Sequence, residues 1–331
     1  MENAQKKIKY SILDLAPLSV GETPSDAFKK SGDLAQHAEN WGYNRIWYAE
    51  HHNMDGIASS ATAVLIGHIA GLTKTIRVGS GGIMLPNHSS LIIAEQFGTL
   101  EALYPNRIDL GLGRAPGSNQ ATMRAIRRDL GAQNFPEQVQ ELFQYFSSNQ
   151  EGQRVIAYPG AGQNIPIWLL GSSLFSAELA GRLGLPYTFA GHFAPELMME
   201  AVHVYKSFFT PSIHLKKPYL MIGVQAVAAE NNSEAEYLST TVYQRFLDLV
   251  KGQSIKMKPP VKDMTGLWSL EEETYVREKL SISVRGDLET VKMKLNRLAQ
   301  ATGADELIIA SDVYEHKARL KSFELIAKAL S

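Results

Sequence analysis

The stretch Tyr219-Leu220-Met221-Ile222-Gly223-Val224-Gln225-Ala226-Val227-Ala228 is apolar almost throughout and carries no charge. An apolar run of this length, with no alternation, predicts a β-strand buried on both faces, as in a parallel sheet covered by helices. A long amphipathic segment from Ser233 to Val250 follows it, completing a strand-helix unit. The same unit recurs outward in both directions. Strands are predicted at Lys9–Leu15, Arg45–Ala49, Ile76–Leu85, Arg107–Leu112, Ile165–Leu170, Tyr187–Ala190 and Leu307–Ala310, with helical patterns between them. Thr23-Pro24-Ser25-Asp26 shows how such a helix begins: a hydroxyl cap, proline in the first turn and an early acid. Gly42 ends it.

Eight such units without a linker-like break predict a single α/β domain over residues 1–331, a (β/α)8 TIM barrel. An open dinucleotide-binding sheet is the rival, but the first turn, Pro17 to Gly21, lacks the Gly-x-Gly-x-x-Gly fingerprint. Two helical stretches are predicted between Asn119 and Ser148. Gly252 to Ser283 reads as irregular, an extended loop insertion after strand seven.

Composition narrows the function. The chain has 331 residues, 33 Lys+Arg against 34 Asp+Glu, and no cysteine. That excludes disulfides, thiolate metal sites and a cysteine nucleophile. The formal charge of −1 gives no long-range attraction to nucleic acid or anionic lipid. No apolar run approaches a membrane span, and Met1 to Tyr10 does not open a signal peptide, so a cytoplasmic protein is expected. Walker A, His-Glu-x-x-His and Gly-x-Ser-x-Gly motifs are missing, and no metal site is expected.

In a barrel of this kind the carboxyl ends of the strands share one mouth. Glu50-His51-His52 ends strand two, where adjacent side chains point oppositely, so at most one histidine faces the mouth. It could move a proton, or serve as an ordinary loop histidine. Gly79-Ser80-Gly81-Gly82 in strand three fits either close approach of a flat ligand or a bulge. Arg114 after strand four and Gly171-Ser172-Ser173 before a helix would together suit a phosphate, although Gly-Ser-Ser alone is a plain cap. Asn87 and His88 could line a substrate pocket, or belong to a simple loop and cap.

Several segments carry a resemblance as a set. They are Leu13-Asp14-Leu15-Ala16-Pro17, Trp47-Tyr48-Ala49-Glu50-His51-His52, Gly81-Gly82-Ile83-Met84-Leu85-Pro86-Asn87-His88, Ala94-Glu95-Gln96-Phe97-Gly98-Thr99-Leu100, Asn106 through Gly117, and Thr302-Gly303-Ala304-Asp305-Glu306-Leu307. In this order they resemble the bacterial luciferase-like flavin monooxygenase family, from about Ile8 to Leu330. The resemblance implies reduced FMN in the mouth, reacting with O₂ to give a C4a-hydroperoxide that attacks a small organic substrate. It also implies His51 near the reactive edge, Gly81-Gly82 against the ring, often as a non-prolyl cis step, and phosphate contacts from Arg114, Ser172 and Ser173, with Ser176 one turn on. A separate reductase, a homodimer and a mobile loop at 252–283 covering the flavin are further implications. Where luciferase itself has a cysteine and an acid, this chain has Gly113 and Ser172, so light emission is not implied. Two alternatives stay open: hydride transfer with the deazaflavin F420, and flavin binding without turnover.

Overall fold

The protein is described by a computed structural model covering residues 8–115, 120–126, 134–148 and 152–331. Pro116, Gly117 and Ser118, and the parts of the predicted helical region at 119 and 127–133, lie outside the described residues.

The strands are β1 (Lys9–Asp14), β2 (Arg45–Tyr48), β3 (Arg77–Ser80), β4 (Ile83–Met84), β5 (Ile108–Gly113), β6 (Ile167–Gly171), β7 (Tyr187–Phe189), β8 (Leu220–Ala228), β9 (Val284–Gly286) and β10 (Glu306–Ala310). All their pairings are parallel. The order β1-β2-β3-β5-β6-β7-β8 closes when β10 pairs with both β8 and β1, giving an eight-stranded barrel. The seventh strand, Leu220–Ala228, is buried at every position, as its apolar run predicts.

The outer ring comprises α1 (Pro24–Asn40), α2 (Thr62–Leu72), α3 (Ser90–Leu103), α4 (Gln120–Ile126), α5 (Phe135–Phe146), α6 (Leu174–Leu183), α7 (Met198–Phe208), α8 (Asn232–Val250), α9 (Leu270–Lys279), α10 (Leu288–Thr302) and α11 (His316–Leu330). Thr23 and Asp26 form the reciprocal cap expected for α1.

Two expectations need correction. The third strand is not continuous from Ile76 to Leu85. It pairs with β5 at Gly79↔Asp109 and again, through β4, at Ile83↔Leu112. Four steps on one side (83 − 79) answer three on the other (112 − 109), so Ser80-Gly81-Gly82 holds one extra residue, a bulge. The Ser80 hydroxyl spans the gap, donating to the Gly111 carbonyl at 2.8 Å and accepting from the Gly111 amide at 3.0 Å. Leu85–Asn87 then forms a turn of 3₁₀ helix.

The second correction concerns 252–283. It follows α8, it contains α9, and Ser269 with Glu272 caps that helix reciprocally. Its first part is pinned to the β1–α1 loop: the Val20 amide donates to the Met257 carbonyl at 2.9 Å, and the Met257 amide to the Leu18 carbonyl at 2.8 Å. Ile255, Met257 and Met264 are buried. The segment is a packed part of the barrel's upper rim.

Side chains inside the barrel stack in layers. At the amino end, Arg45 meets Asp109 at 2.6 Å and Glu306 at 2.9 Å, all three buried. Above that floor, Leu13, Trp47, Trp168, Met221 and Ile308 form an apolar plug separate from the shell core, with the two indoles edge to face at 5.2 Å. The plug closes the barrel from below, so chemistry is confined to its carboxyl end.

Candidate active site at the carboxyl ends of the strands

On β2, Trp47 and Ala49 belong to the interior plug, whereas Ile46 and Tyr48 pack in the shell. Two residues beyond Ala49 stands His51, past the end of β2, where continued alternation would put it on the barrel side. Glu50 and His52 go the other way. The buried Glu50 carboxylate accepts from His52 Nε2 and His88 Nε2, both at 2.8 Å, and from the Met84 amide at 3.1 Å. Burial opposes its charge, yet hydrogen bonds from His88, His52 and Met84 hold its carboxyl below the usual range. Glu50 thus ties the end of β2 to the β4–α3 connection. With His52 held by Glu50, at most one histidine of the pair is left for the mouth, and His88 is engaged by the same carboxylate. Asn87 ends the adjoining 3₁₀ turn.

A second histidine at this end of the barrel is a residue that sequence reasoning missed. His192 follows β7, and its titration feels the charge of His51. Burial lowers its pKa to about 4; Asp312 opposes the shift and His51 adds to it. Its ring leans on the Gly223 backbone, while Thr188 Oγ1 of β7 and Trp168 Nε1 of β6 are buried without a hydrogen-bond partner. Asp312 is also fixed, accepting from Arg245 at 2.7 Å. A search of strand ends for titratable groups would have found His192, but the short sixth strand drew no attention to it.

A pH dependence follows from His192. Its pKa is lower in the folded protein than the ordinary 6.5, so the stability it confers is full above that value and lost as pH falls toward 4. Between pH 7 and pH 5 the wild type should lose about 2 kcal/mol more than His192→Asn. Urea unfolding at the two pH values measures this, and equal losses would contradict it.

The glycines have a plain role. A Cβ on Gly82 would lie 2.7 Å from the Gly111 carbonyl oxygen, and one on Gly81 would lie 2.8 Å from Leu13 Cδ1. These positions lack side chains because a neighbouring strand and the plug already fill the space. The Gly81–Gly82 peptide is cis, as the resemblance implied.

On the adjacent side of the mouth, Arg114 leaves β5 and its guanidinium lies 4.2 Å from the Phe175 ring, in the first turn of α6. Among the described residues Arg114 has no ion pair. Ser173 caps α6 by position, but its hydroxyl makes no cap bond, so the helix's first amides face outward unsatisfied by side chains. Ser172 precedes it in the same turn. Ser176 turns inward: it is buried, donates to the Ser173 carbonyl at 3.1 Å and contacts the Tyr187 hydroxyl at 3.4 Å. Arg114 thus reaches the first turn of α6 at Phe175, two residues on from Ser173, with Ser172 before the cap and Ser176 buried behind it.

Comparison with known proteins fits this geometry. The luciferase-like monooxygenase family profile matches residues 8–306. A luciferase-like monooxygenase of Escherichia coli K12 is 51% identical, over 97% of this chain and 96% of its own. The chain belongs to the luciferase-like monooxygenase family. Within it, the N-acetyl-S-alkylcysteine monooxygenase of Bacillus subtilis is 31% identical over 98% of both chains. The crystal structure of apo-MsnO8 superposes with a TM-score of 0.87 at 32% identity, covering 98% of both chains. More distant structures share the fold alone: the oxygenating constituent of 3,6-diketocamphane monooxygenase in complex with FMN (TM-score 0.70, 18% identity, 97% of both chains), and an F420-dependent secondary alcohol dehydrogenase with an F420-acetone adduct (TM-score 0.68, 15% identity, 98% of both chains). Among the described residues no helix is long and apolar enough to cross a membrane, and no group of three acid or histidine ligands could hold a metal.

Proposed function

We propose that this member of the family is an FMN-dependent monooxygenase acting on a small, uncharged or weakly polar organic substrate, with reduced FMN supplied by a separate reductase. The observation that carries the reading is one constellation: the Arg114 guanidinium over Phe175 in the open first turn of α6, at the same barrel end as His51 and His192. Guanidinium, free helix amides and two serine hydroxyls make a donor set for a phosphate dianion. Unpartnered buried polar atoms at Trp168 and Thr188 are the kind of groups that a heteroaromatic ring can satisfy. The residues present fit FMN.

Reduced FMN, when bound, supplies the activation of molecular oxygen. The chain's own residues orient and protect. Arg114, Ser172 and Ser173 hold the phosphate; the Trp47–Trp168 plug excludes water from below. His51 holds or moves a proton at its imidazole, and Glu50 keeps the loop carrying it in register. A homodimer is part of the proposal. A cytoplasmic location is part of the same proposal.

Arg114→Ala should weaken FMN binding by about 1.5–3 kcal/mol, because it removes a charge-assisted contact. Fluorescence titration with oxidised FMN, reduced FMN and F420 checks both the site and the cofactor. Preference for F420 without oxygen uptake would replace the proposal with hydride transfer. Tight FMN binding with no oxygen consumption from the reduced complex would leave a flavin-binding protein.

A further inference from the structure

Away from the mouth, a groove of about 550 Å³ opens beside α9, β9 and α10, within the range of small-molecule sites. Its cations are Arg277, Arg285, Lys294 and Arg297, and no acidic residue lines it. Two carboxylates reach the guanidinium groups from outside the lining. Glu273 accepts from Arg277 Nε at 2.7 Å, and Glu236 from Arg285 Nε at 2.5 Å. Four cations less these two carboxylates leave an excess of two positive charges.

The donors are partly committed and partly free. Arg285 gives Nη1 to Ser283 at 3.3 Å, and Lys294 donates to the Arg285 carbonyl at 3.2 Å. Among the described residues the terminal nitrogens of Arg277 and Nη2 of Arg285 make no hydrogen bond, and Arg297 makes neither a hydrogen bond nor an ion pair. An arginine oriented through Nε by a carboxylate presents its remaining N–H fork in a fixed direction. Apolar Leu280, Ile282, Val284 and Leu298 share the rest of the lining with Tyr243, Ser281 and Ser283. Ile282 also packs toward Gly191, where its Cδ1 would lie 2.8 Å from an added Cβ, so this residue stands between the groove and the loop that carries His192.

We propose that this groove is a second ligand site, separate from the flavin mouth, for an organic phosphate monoester with an apolar body. A monoester phosphate carries between one and two negative charges at neutral pH and presents three acceptor oxygens, matching the excess charge and the free forks. The apolar wall selects against inorganic phosphate, which has nothing to bury there. The inference does not rest on the flavin reading.

The test uses isothermal titration calorimetry with 1-naphthyl phosphate, inorganic phosphate and 1-naphthol as probes. Because the flavin mouth could also take a phosphate, each titration is repeated in an Arg114→Glu background. Expected there is saturable binding of one naphthyl phosphate per chain, at least roughly tenfold tighter than either inorganic phosphate or naphthol. Arg297→Glu, and separately Lys294→Glu, should weaken it by roughly tenfold or more. Both residues are exposed, so the variants should keep the wild-type melting temperature. Affinity unchanged by both reversals would overturn the site, as would inorganic phosphate binding as tightly as the ester. Binding lost with Arg114→Glu alone would also overturn the groove, while leaving the flavin mouth intact.

Discussion

Arg45→Met is expected to cost the fold about 3–5 kcal/mol, the usual consequence of removing one partner from a buried ion cluster. The barrel floor concentrates charge where water is excluded. Arg45 is buried, and the carboxylates it serves, Asp109 and Glu306, are fully buried. Asp109 retains Arg77, at 2.6 Å, and the Trp47 indole N–H, at 3.1 Å. Glu306 keeps only neutral donors: Asn44 at 3.1 Å, the Tyr219 hydroxyl at 2.8 Å and the Ser11 hydroxyl. Arg45 is its one cationic partner among the described residues. The guanidinium also lies 4.6 Å from the Trp168 ring, so it is both counterion and base for the apolar plug. Methionine keeps much of the length and apolar contact, which isolates the charge as the variable. Urea unfolding followed by tryptophan fluorescence at pH 7 measures the loss. A carboxylate left without its cation favours protonation, so the deficit should narrow as pH falls toward 5. A loss below about 1 kcal/mol would mean that the neutral donors alone stabilise Glu306.

The barrel was legible because its strands are apolar on both faces, a property written locally in runs such as Leu220–Ala228. The bulge in strand three was one of two readings of its glycines, and the local pattern could not choose between them. Gly81 and Gly82 signalled that something lay close, but the close neighbours are Leu13 and the Gly111 carbonyl, set by strand pairing that no local pattern encodes. α9 escaped for a different reason. Ser269 and Glu272 carry its capping signature, yet only Val276 is buried along the helix and Leu270 is 80% exposed, so no apolar stripe marked it. In the candidate site, Arg114, Ser172, Ser173 and His51 were readable since each sits directly at a strand end. His192 and the Glu50–His88 bond depend on loops meeting across the mouth, a tertiary fact.

That division bears on the variant with the largest expected effect on turnover, His51→Ala. If His51 is the group that holds or moves a proton beside the flavin, its loss should lower oxygen-coupled turnover by roughly 10²–10⁴-fold, the range for a positioned acid or base. FMN affinity should stay close to wild type, because the phosphate contacts lie on the β5–α6 side. His52→Ala is the informative companion. Its ring is bound to Glu50 on the far side of the same loop, at 2.8 Å, so it orients the loop without reaching the mouth. Its removal should cost far less rate, and any loss should be shared by Glu50→Gln, which weakens the same tether. Single-turnover measurement with saturating reduced FMN separates the two, since it removes flavin binding from the observed rate. Equal losses from His51→Ala and His52→Ala would show that the histidine pair acts through loop geometry. The proton step would then fall to His192, whose lowered pKa keeps it neutral at pH 7.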